Sequence, residues 1–357
     1  MPFTLPPELL LIIIESSSGF PDNLDTDTLS RLCLVSRTAL AVARPILYRK
    51  VPVHLESVVL KTRHRYHHIV TQNHVGNALR RYTHLAGYVE HLELGFESHL
   101  SSNQGLCEAT RTLLGDCYRL NRLQINYNDN AKVIEEVLGS LAREENRLAS
   151  SVTEIQTAYT GPESQIFLRR FPQLRSLKIP FFALGVEGSL GKPFPFHLER
   201  LNPPLDASPS LLLTLLANST STLIQLHVSS FQLIALSDHL RHFTSLRDVW
   251  ITVGSEYCAM EEVGLVLHTL PALQYLNLAI HCTVALCFRH LPPRLQRLDL
   301  EGPDCEGVMR LLRTKTRHCL CRIGVPESEW ESGEVKRAKE VGREVGVEVV
   351  EVVDWRA

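Results

Sequence analysis

Two aromatic side chains and a run of charged ones stand where a protein can grip another molecule. Three segments carry them: Leu246-Arg247-Asp248-Val249-Trp250-Ile251, Leu273-Gln274-Tyr275-Leu276-Asn277-Leu278 and Leu295-Gln296-Arg297-Leu298-Asp299-Leu300. Alternate residues of a strand face opposite ways, so Asp248, Trp250, Tyr275, Asn277, Arg297 and Asp299 share one face and the leucines the other. Trp250 is fifth in its segment and Tyr275 third in the next. In adjacent parallel strands about 4.8 Å apart, such residues are diagonal neighbours. An aromatic pair rimmed by Asp248, Asn277, Arg297 and Asp299 has the composition of an interface hot spot. These six are the expected substrate-binding residues. The competing expectation is that loops or the carboxy-terminal segment cover both rings and make them core.

Other chemistry is harder to find. The sequence has no Gly-x-Ser-x-Gly, no phosphate-binding loop, no Gly-x-Gly-x-x-Gly and no His-Glu-x-x-His, the patterns that place a nucleophile, a nucleotide or a zinc ion. A metal site would draw on His318, Cys319 and Cys321 with Cys282, Cys287 and Cys305 upstream. Zinc ligand pairs usually have two to four residues between them, whereas Cys319 and Cys321 have only one and His318 and Cys319 none. Cys319 and Cys321 flank an apolar segment and read as small hydrophobes. No catalytic residue, cofactor or metal is therefore expected, and the chain is not expected to be an enzyme.

The 357 residues are 44% hydrophobic and 21% charged, ordinary for a globular protein with a large core. A formal net charge of −2 supplies no basic field for nucleic acid. No apolar run reaches the length of a membrane span. Met1–Glu15 lacks the basic start and small-residue cleavage site of a secretory leader. The nine cysteines are scattered without a framework, which suits a cytoplasmic or nuclear protein. The sequon Asn218-Ser219-Thr220 then ends a helix instead of carrying sugar.

The segments that position Trp250 and Tyr275 belong to a repeat. Leu-x-x-Leu-x-Leu or a close variant starts at Val89, Leu120, Val152, Leu174, Leu198, Leu223, Leu246, Leu273, Leu295 and Leu320. Most steps fall within the roughly 20–29 residues of a leucine-rich repeat. Between the copies lie helical patterns. Ser208-Pro209 caps and starts one with Leu211, Leu212, Leu215 and Leu216, and Ala131–Leu148 is another. The predicted fold is α/β: a parallel sheet with helices outside it, an irregular leucine-rich-repeat horseshoe with a concave sheet and convex helices. Leu177, Leu226, Leu276 and Leu298 should stack in one interior, with Lys178, His227, Asn277 and Asp299 outward and solvated. An asparagine ladder is absent, since Asn128 alone holds its position. Pro180–Pro195 reads as a long loop, and Pro203-Pro204 ends the strand at Leu201. At the far end Glu334–Arg343 is helical, and Val347–Val353 is a last strand closing the sheet.

The first fifty residues differ. Leu5-Pro6-Pro7-Glu8-Leu9-Leu10 starts a helix, a second follows near Thr28 with Leu29, Leu32, Cys33 and Leu40, and a third precedes Pro45. Together with Leu32-Cys33-Leu34-Val35-Ser36-Arg37 and Ala43-Arg44-Pro45-Ile46-Leu47-Tyr48-Arg49-Lys50-Val51, this stretch closely resembles an F-box. The likeness is strongest to the F-box-like domains of fungal leucine-rich-repeat proteins, and Leu79–Leu94 resembles the entry into their repeats. It departs at Thr38-Ala39-Leu40, where many F-boxes have a bulky aromatic.

The resemblance implies a three-helix module that binds the Skp-type adaptor of a cullin–RING ubiquitin ligase while the repeats hold a protein substrate. By that likeness Leu5, Pro6, Leu9, Ile13, Leu32, Val35 and Ser36 are the adaptor-binding residues. The alternative is a repeat scaffold without a ligase role, its helices a plain cap. The expected divisions are an F-box-like module at 1–51, a helical linker at 52–88 and the repeats at 89–357. The basic stretch Lys61–His68 reads as the solvated side of a linker helix.

Overall fold

The computed structural model describes residues 26–62, 65–98, 104–126, 131–143, 147–158, 161–180, 192–252, 260–279, 291–301, 305–313, 319–326 and 332–352. The chain divides into two units, Met1–Leu174 and Arg175–Ala357.

Unit 1 begins with helices α1 (Thr26–Val35) and α2 (Arg37–Leu47). Ser36 separates them: its extended backbone breaks the helix and its Oγ accepts from Ala39 N at 3.0 Å, restarting the chain as an N-cap. Leu40, expected in the second helix, therefore lies in α2 beyond the break. Pro45 sits inside α2 instead of after it, where its missing N–H leaves the Ala41 carbonyl without an i→i−4 donor, and the helix ends two residues later at Leu47. Leu29, Ala43 and Ile46 are buried together, with Leu32, Cys33, Val42 and Leu47 packed against them.

The expected helical linker at 52–88 is not helical at its start. Strand β1 (Lys50–Thr62) pairs antiparallel with β2 (Arg65–Gln72), and helices α3 (His74–Arg81) and α4 (Thr83–Ala86) follow. Buried Val51, Val53 and Leu55 alternate with exposed Pro52 and His54, a period of two that belongs to a strand. Of the Lys61–His68 stretch, the described residues Lys61, Thr62 and Arg65 to His68 lie on these two strands, so it is not a helix face. Asn73 caps α3 through Gly76 N (2.9 Å) and donates to Pro52 O (2.9 Å), tying helix to strand.

Next come β3 (His91–Ser98), α5 (Gln104–Asp116), β4 (Arg122–Ile125), α6 (Ala131–Ala142), β5 (Glu154–Gln156) and α7 (Pro162–Leu168). Helix α6 stops short of the expected Leu148, and a 3₁₀ turn covers Arg147–Ser150. The strand order is β5-β4-β3-β1-β2, all parallel except β2. Helix α7 has glycine at its N-cap, so α6 supplies the missing cap. Glu135 accepts from Glu163 N (2.7 Å) and Ser164 Oγ (3.1 Å), placing a carboxylate at a helix amino terminus.

Unit 2 contains β6 (Ser176–Lys178), β7 (Arg200–Asn202), α8 (Pro209–Leu216), β8 (Gln225–Ser229), α9 (Ser230–Ala235), α10 (Ser237–Leu240), β9 (Asp248–Thr252) and α11 (Met260–His268). It continues with β10 (Tyr275–Ala279), β11 (Arg297–Glu301), α12 (Cys305–Arg313), β12 (Arg322–Pro326), α13 (Ser332–Val345) and β13 (Glu348–Val352). The eight described strands lie in chain order. The ladder expected from the leucine phase is present: Leu177, Leu201, Leu226, Val249, Leu276, Leu298, Ile323 and Val349 are successive register partners and all are buried. Ser208 caps α8 with Pro209 behind it, as read. Gly346, with φ of 75°, turns the chain from α13 into β13, a backbone only glycine adopts cheaply.

With no asparagine ladder, another device satisfies the turn backbones. On entering β3 to β5 and β7 to β12, two consecutive N–H groups donate to one carbonyl of the preceding repeat. Gln274 and Tyr275 both reach Arg247 O at 2.9 Å, and Arg247 and Asp248 reach Ile224 O at 2.9 and 3.0 Å. In unit 1, Asn121 and Arg122 use Glu90 O in the same way. Buried side chains add local ties. Ser219, the middle of the sequon, accepts from Leu198 N at 2.8 Å. Gln232 donates to Pro204 O and Ala207 O at 2.9 Å each, meeting the carbonyls that the Pro203-Pro204 break leaves without strand partners.

Candidate functional site

The register places the expected residues as the spacing requires. Tyr275 lies opposite Asp248 on one side and Arg297 on the other, while Asn277 lies between Trp250 and Asp299. Trp250 and Tyr275 are thus diagonal, with ring centroids 6.2 Å apart at 85°, the edge-to-face geometry aromatic quadrupoles prefer. Both rings are half-buried, neither covered as core nor fully exposed.

Around the rings the polar groups are tightly organised. Asp299 sits at the centre. Arg297 grips it with two bonds, Nε to Oδ1 at 3.0 Å and Nη2 to Oδ2 at 2.6 Å, and the Tyr275 hydroxyl donates to Oδ2 at 2.8 Å. The Arg297 guanidinium also lies 4.8 Å from the centre of the Tyr275 ring, a cation–π contact. Burial pushes the Tyr275 phenol well above its ordinary value; accepting Asp299 adds to this, and Asn277 and Arg297 oppose it. The bonds to Asp299 raise the Arg297 guanidinium further still. Burial likewise raises the Asp248 carboxyl, against the attraction of Arg247.

Two of the six differ from expectation. Asn277 is 1% exposed and Asp299 3% exposed, although both stand on the polar face and were expected in solvent. Folded over the sheet, the rings of Trp250 and Tyr275 and the guanidinium of Arg297 exclude water from the shorter side chains between them. Asn277 Nδ2 makes no hydrogen bond of good geometry, although its amide is near enough to favour the Tyr275 phenolate.

His227 extends the site and is not among the six. It occupies the fifth position of the preceding repeat, the same position as Trp250, and that shared position is the signal that finds it. Its ring is 6.1 Å from Trp250 and its Nε2 is 3.0 Å from Thr252 Oγ1. Burial lowers its pKa, and the nearby Lys178 charge lowers it further. Four strands therefore contribute one stripe: His227, Trp250, Tyr275 and Arg297. Ring contacts and the Arg297–Asp299 bonds fix the side chains of this stripe against one another.

Of the expected adaptor residues, Leu5, Pro6, Leu9 and Ile13 lie outside the described residues. Leu32 packs against the α1–α2 core and Ser36 is spent as a cap. Val35 is 73% exposed, and its neighbour Leu34, not among the expected residues, is 86% exposed. Cys282, Cys287 and His318 are also outside the described residues; Cys319 and Cys321 are exposed. Among the described residues no three metal-ligating side chains converge, and no described helix is long and apolar enough to cross a membrane.

Parallel strands in chain order, with inward leucines at Leu-x-x-Leu-x-Leu spacing and a shared carbonyl at most strand entries, form a leucine-rich-repeat-like architecture. No family model and no curated protein matches the chain. Among solved structures it is similar to the crystal structure of the leucine-rich repeat-containing protein LegL7 from Legionella pneumophila, with a TM-score of 0.46 and 14% identity, covering 74% of this chain and 84% of that one.

Proposed function

We propose that the chain is a non-catalytic recognition subunit that grips a protein partner on the polar face of β8–β11. The observation that carries this reading is the half-buried edge-to-face pair of Trp250 and Tyr275, held by the Arg297–Asp299 clamp. Trp, Tyr and Arg are the residues most enriched at binding hot spots, and rings already fixed by neighbours lose little freedom when a partner docks. Replacing Trp250 and Tyr275 together by Ala should weaken partner capture by about 2 kcal/mol, roughly thirtyfold.

The finer reading is a substrate receptor of a Skp–cullin–F-box ubiquitin ligase. Its support is the F-box resemblance of residues 3–51 and the exposed Leu34 and Val35 at the α1–α2 corner. One end would be fixed to the adaptor and the other would hold substrate, raising its effective concentration at the ubiquitin-charged enzyme. Leu9→Asp with Ile13→Asp should abolish co-purification with a Skp-type adaptor, because each buries an uncompensated charge. A double variant with unchanged circular dichroism that keeps the adaptor would remove the ligase reading and leave a protein-binding scaffold.

A further inference from the structure

Two half-buried charges on the polar face of unit 2 have no ion-pair or side-chain hydrogen-bond partner among the described residues. Asp248, the first residue of β9, makes no side-chain hydrogen bond or ion pair among the described residues and feels only the attraction of Arg247. Arg322, the first residue of β12, likewise makes none, and its Nε is buried without a hydrogen bond. Its register neighbours do not relieve it: Arg297 is committed to Asp299, and Glu348 forms no ion pair with it. Partly desolvated charges without partners cost free energy that an incoming group of opposite sign would recover. Two positions beyond Arg322, Gly324 pairs in register with Asp299 and Val350.

The two charges are also in line. Asp248, Tyr275, Arg297 and Arg322 are successive register partners, so Asp248 and Arg322 are three strand spacings apart, about 14 Å. Four residues of extended chain cover about 13–14 Å. In an extended peptide residues i, i+2 and i+4 face one way, and the middle one would fall over the Tyr275–Arg297 stack.

We infer that the partner segment is an extended peptide crossing the strands, with a basic residue for Asp248, an apolar residue over Tyr275 and Arg297, and an acidic residue for Arg322, at alternate positions in either chain direction. This rests on the polar-face reading above and specifies the chemistry of the partner.

The test uses the full-length chain and a fluorescein-labelled nine-residue peptide. Lysine, leucine and glutamate stand at its third, fifth and seventh positions, with serine elsewhere; binding is followed by anisotropy at low salt. This peptide should bind about tenfold or more tightly than versions with the charges two or six residues apart. Asp248→Lys should reverse the preference in favour of a peptide with glutamate at both ends, and Arg322→Glu in favour of lysine at both ends. Asp248→Asn and Arg322→Gln, which keep shape, should each weaken the original peptide without changing the melting temperature. No binding, equal affinity for all spacings, or an unchanged preference in folded Asp248→Lys would overturn the proposal. Peptide binding lost in Trp250→Ala but indifferent to Asp248 and Arg322 would overturn the charge pattern alone and leave the polar-face reading standing.

Discussion

On the polar face of unit 1, polar and charged side chains pair with one another across the strands. Lys50 meets Glu93 at 3.3 Å, His54 meets Glu97 at 3.3 Å, and Arg122 meets Glu154 at 3.7 Å. On the polar face of unit 2 the corresponding positions hold Trp250, Tyr275 and the Arg297–Asp299 clamp, with Asp248 and Arg322 unmatched among the described residues. Beneath both faces the construction is the same. Val51, Leu92, Leu123 and Ile155 are buried register partners in unit 1, as Leu226, Val249, Leu276 and Leu298 are in unit 2. The fold is set by the inward residues, which the two units share; a face becomes a binding site through its outward residues. Where these neutralise each other there is little left for a partner to recover. Where they leave rings and charges over, there is.

The largest expected effect tests the shared part. Leu123→Ala in unit 1 and Leu276→Ala in unit 2 should each cost about 2–5 kcal/mol, as buried leucines generally do, measured by urea denaturation. Gln124→Ala and Lys178→Ala, on the other face, should stay within about 0.5 kcal/mol. A Leu276→Ala as mild as Lys178→Ala would reverse the assigned strand faces.

A smaller effect separates the two polar faces. Asp299→Ala removes the acceptor of three hydrogen bonds and leaves Arg297 and Tyr275 with donors unmet. Because Arg297 stays partly in water, the loss should be about 2–3 kcal/mol. Glu154→Ala breaks a more exposed pair and should cost less than about 1 kcal/mol. Equal losses in urea would mean that the clamp is no more than another surface ion pair.

Much of this was legible in the sequence, and the limits are physical. The leucine phase gave the ladder and its register, because a period of two leaves a strand only one way to bury its apolar face. Counting positions then placed Trp250 beside Tyr275. The burial of Asn277 and Asp299 was not legible, since it depends on how three larger side chains lie over them, and alternation assigns a face without saying what covers it. The β1–β2 pair was misread because the basic residues after Leu60 suggested a solvated helix. The alternation of Val51, Val53 and Leu55 was the contrary signal, and the hydrogen-bonding needs of a sheet edge outweighed composition.

The smallest expected effect is a pH dependence contributed by His227 of unit 2. His227 is held below the ordinary histidine value, mainly by burial and then by Lys178. The unfolded chain, whose histidines titrate near about 6.5, therefore binds more protons than the folded one as the pH falls through that value. Stability must rise with pH across this window. His227 imposes no penalty above pH 6.5, and its penalty grows as the pH drops from there toward its depressed folded value. Denaturation midpoints at pH 7.5 and pH 5.5 should show this loss in the parent, and a reduced loss in His227→Gln. Lys178→Ala should restore only part of the difference, because burial is the larger cause. If it restores all of it, the lysine charge and not burial governs this histidine, and the His227 end of the stripe is wetter than its packing against Trp250 implies.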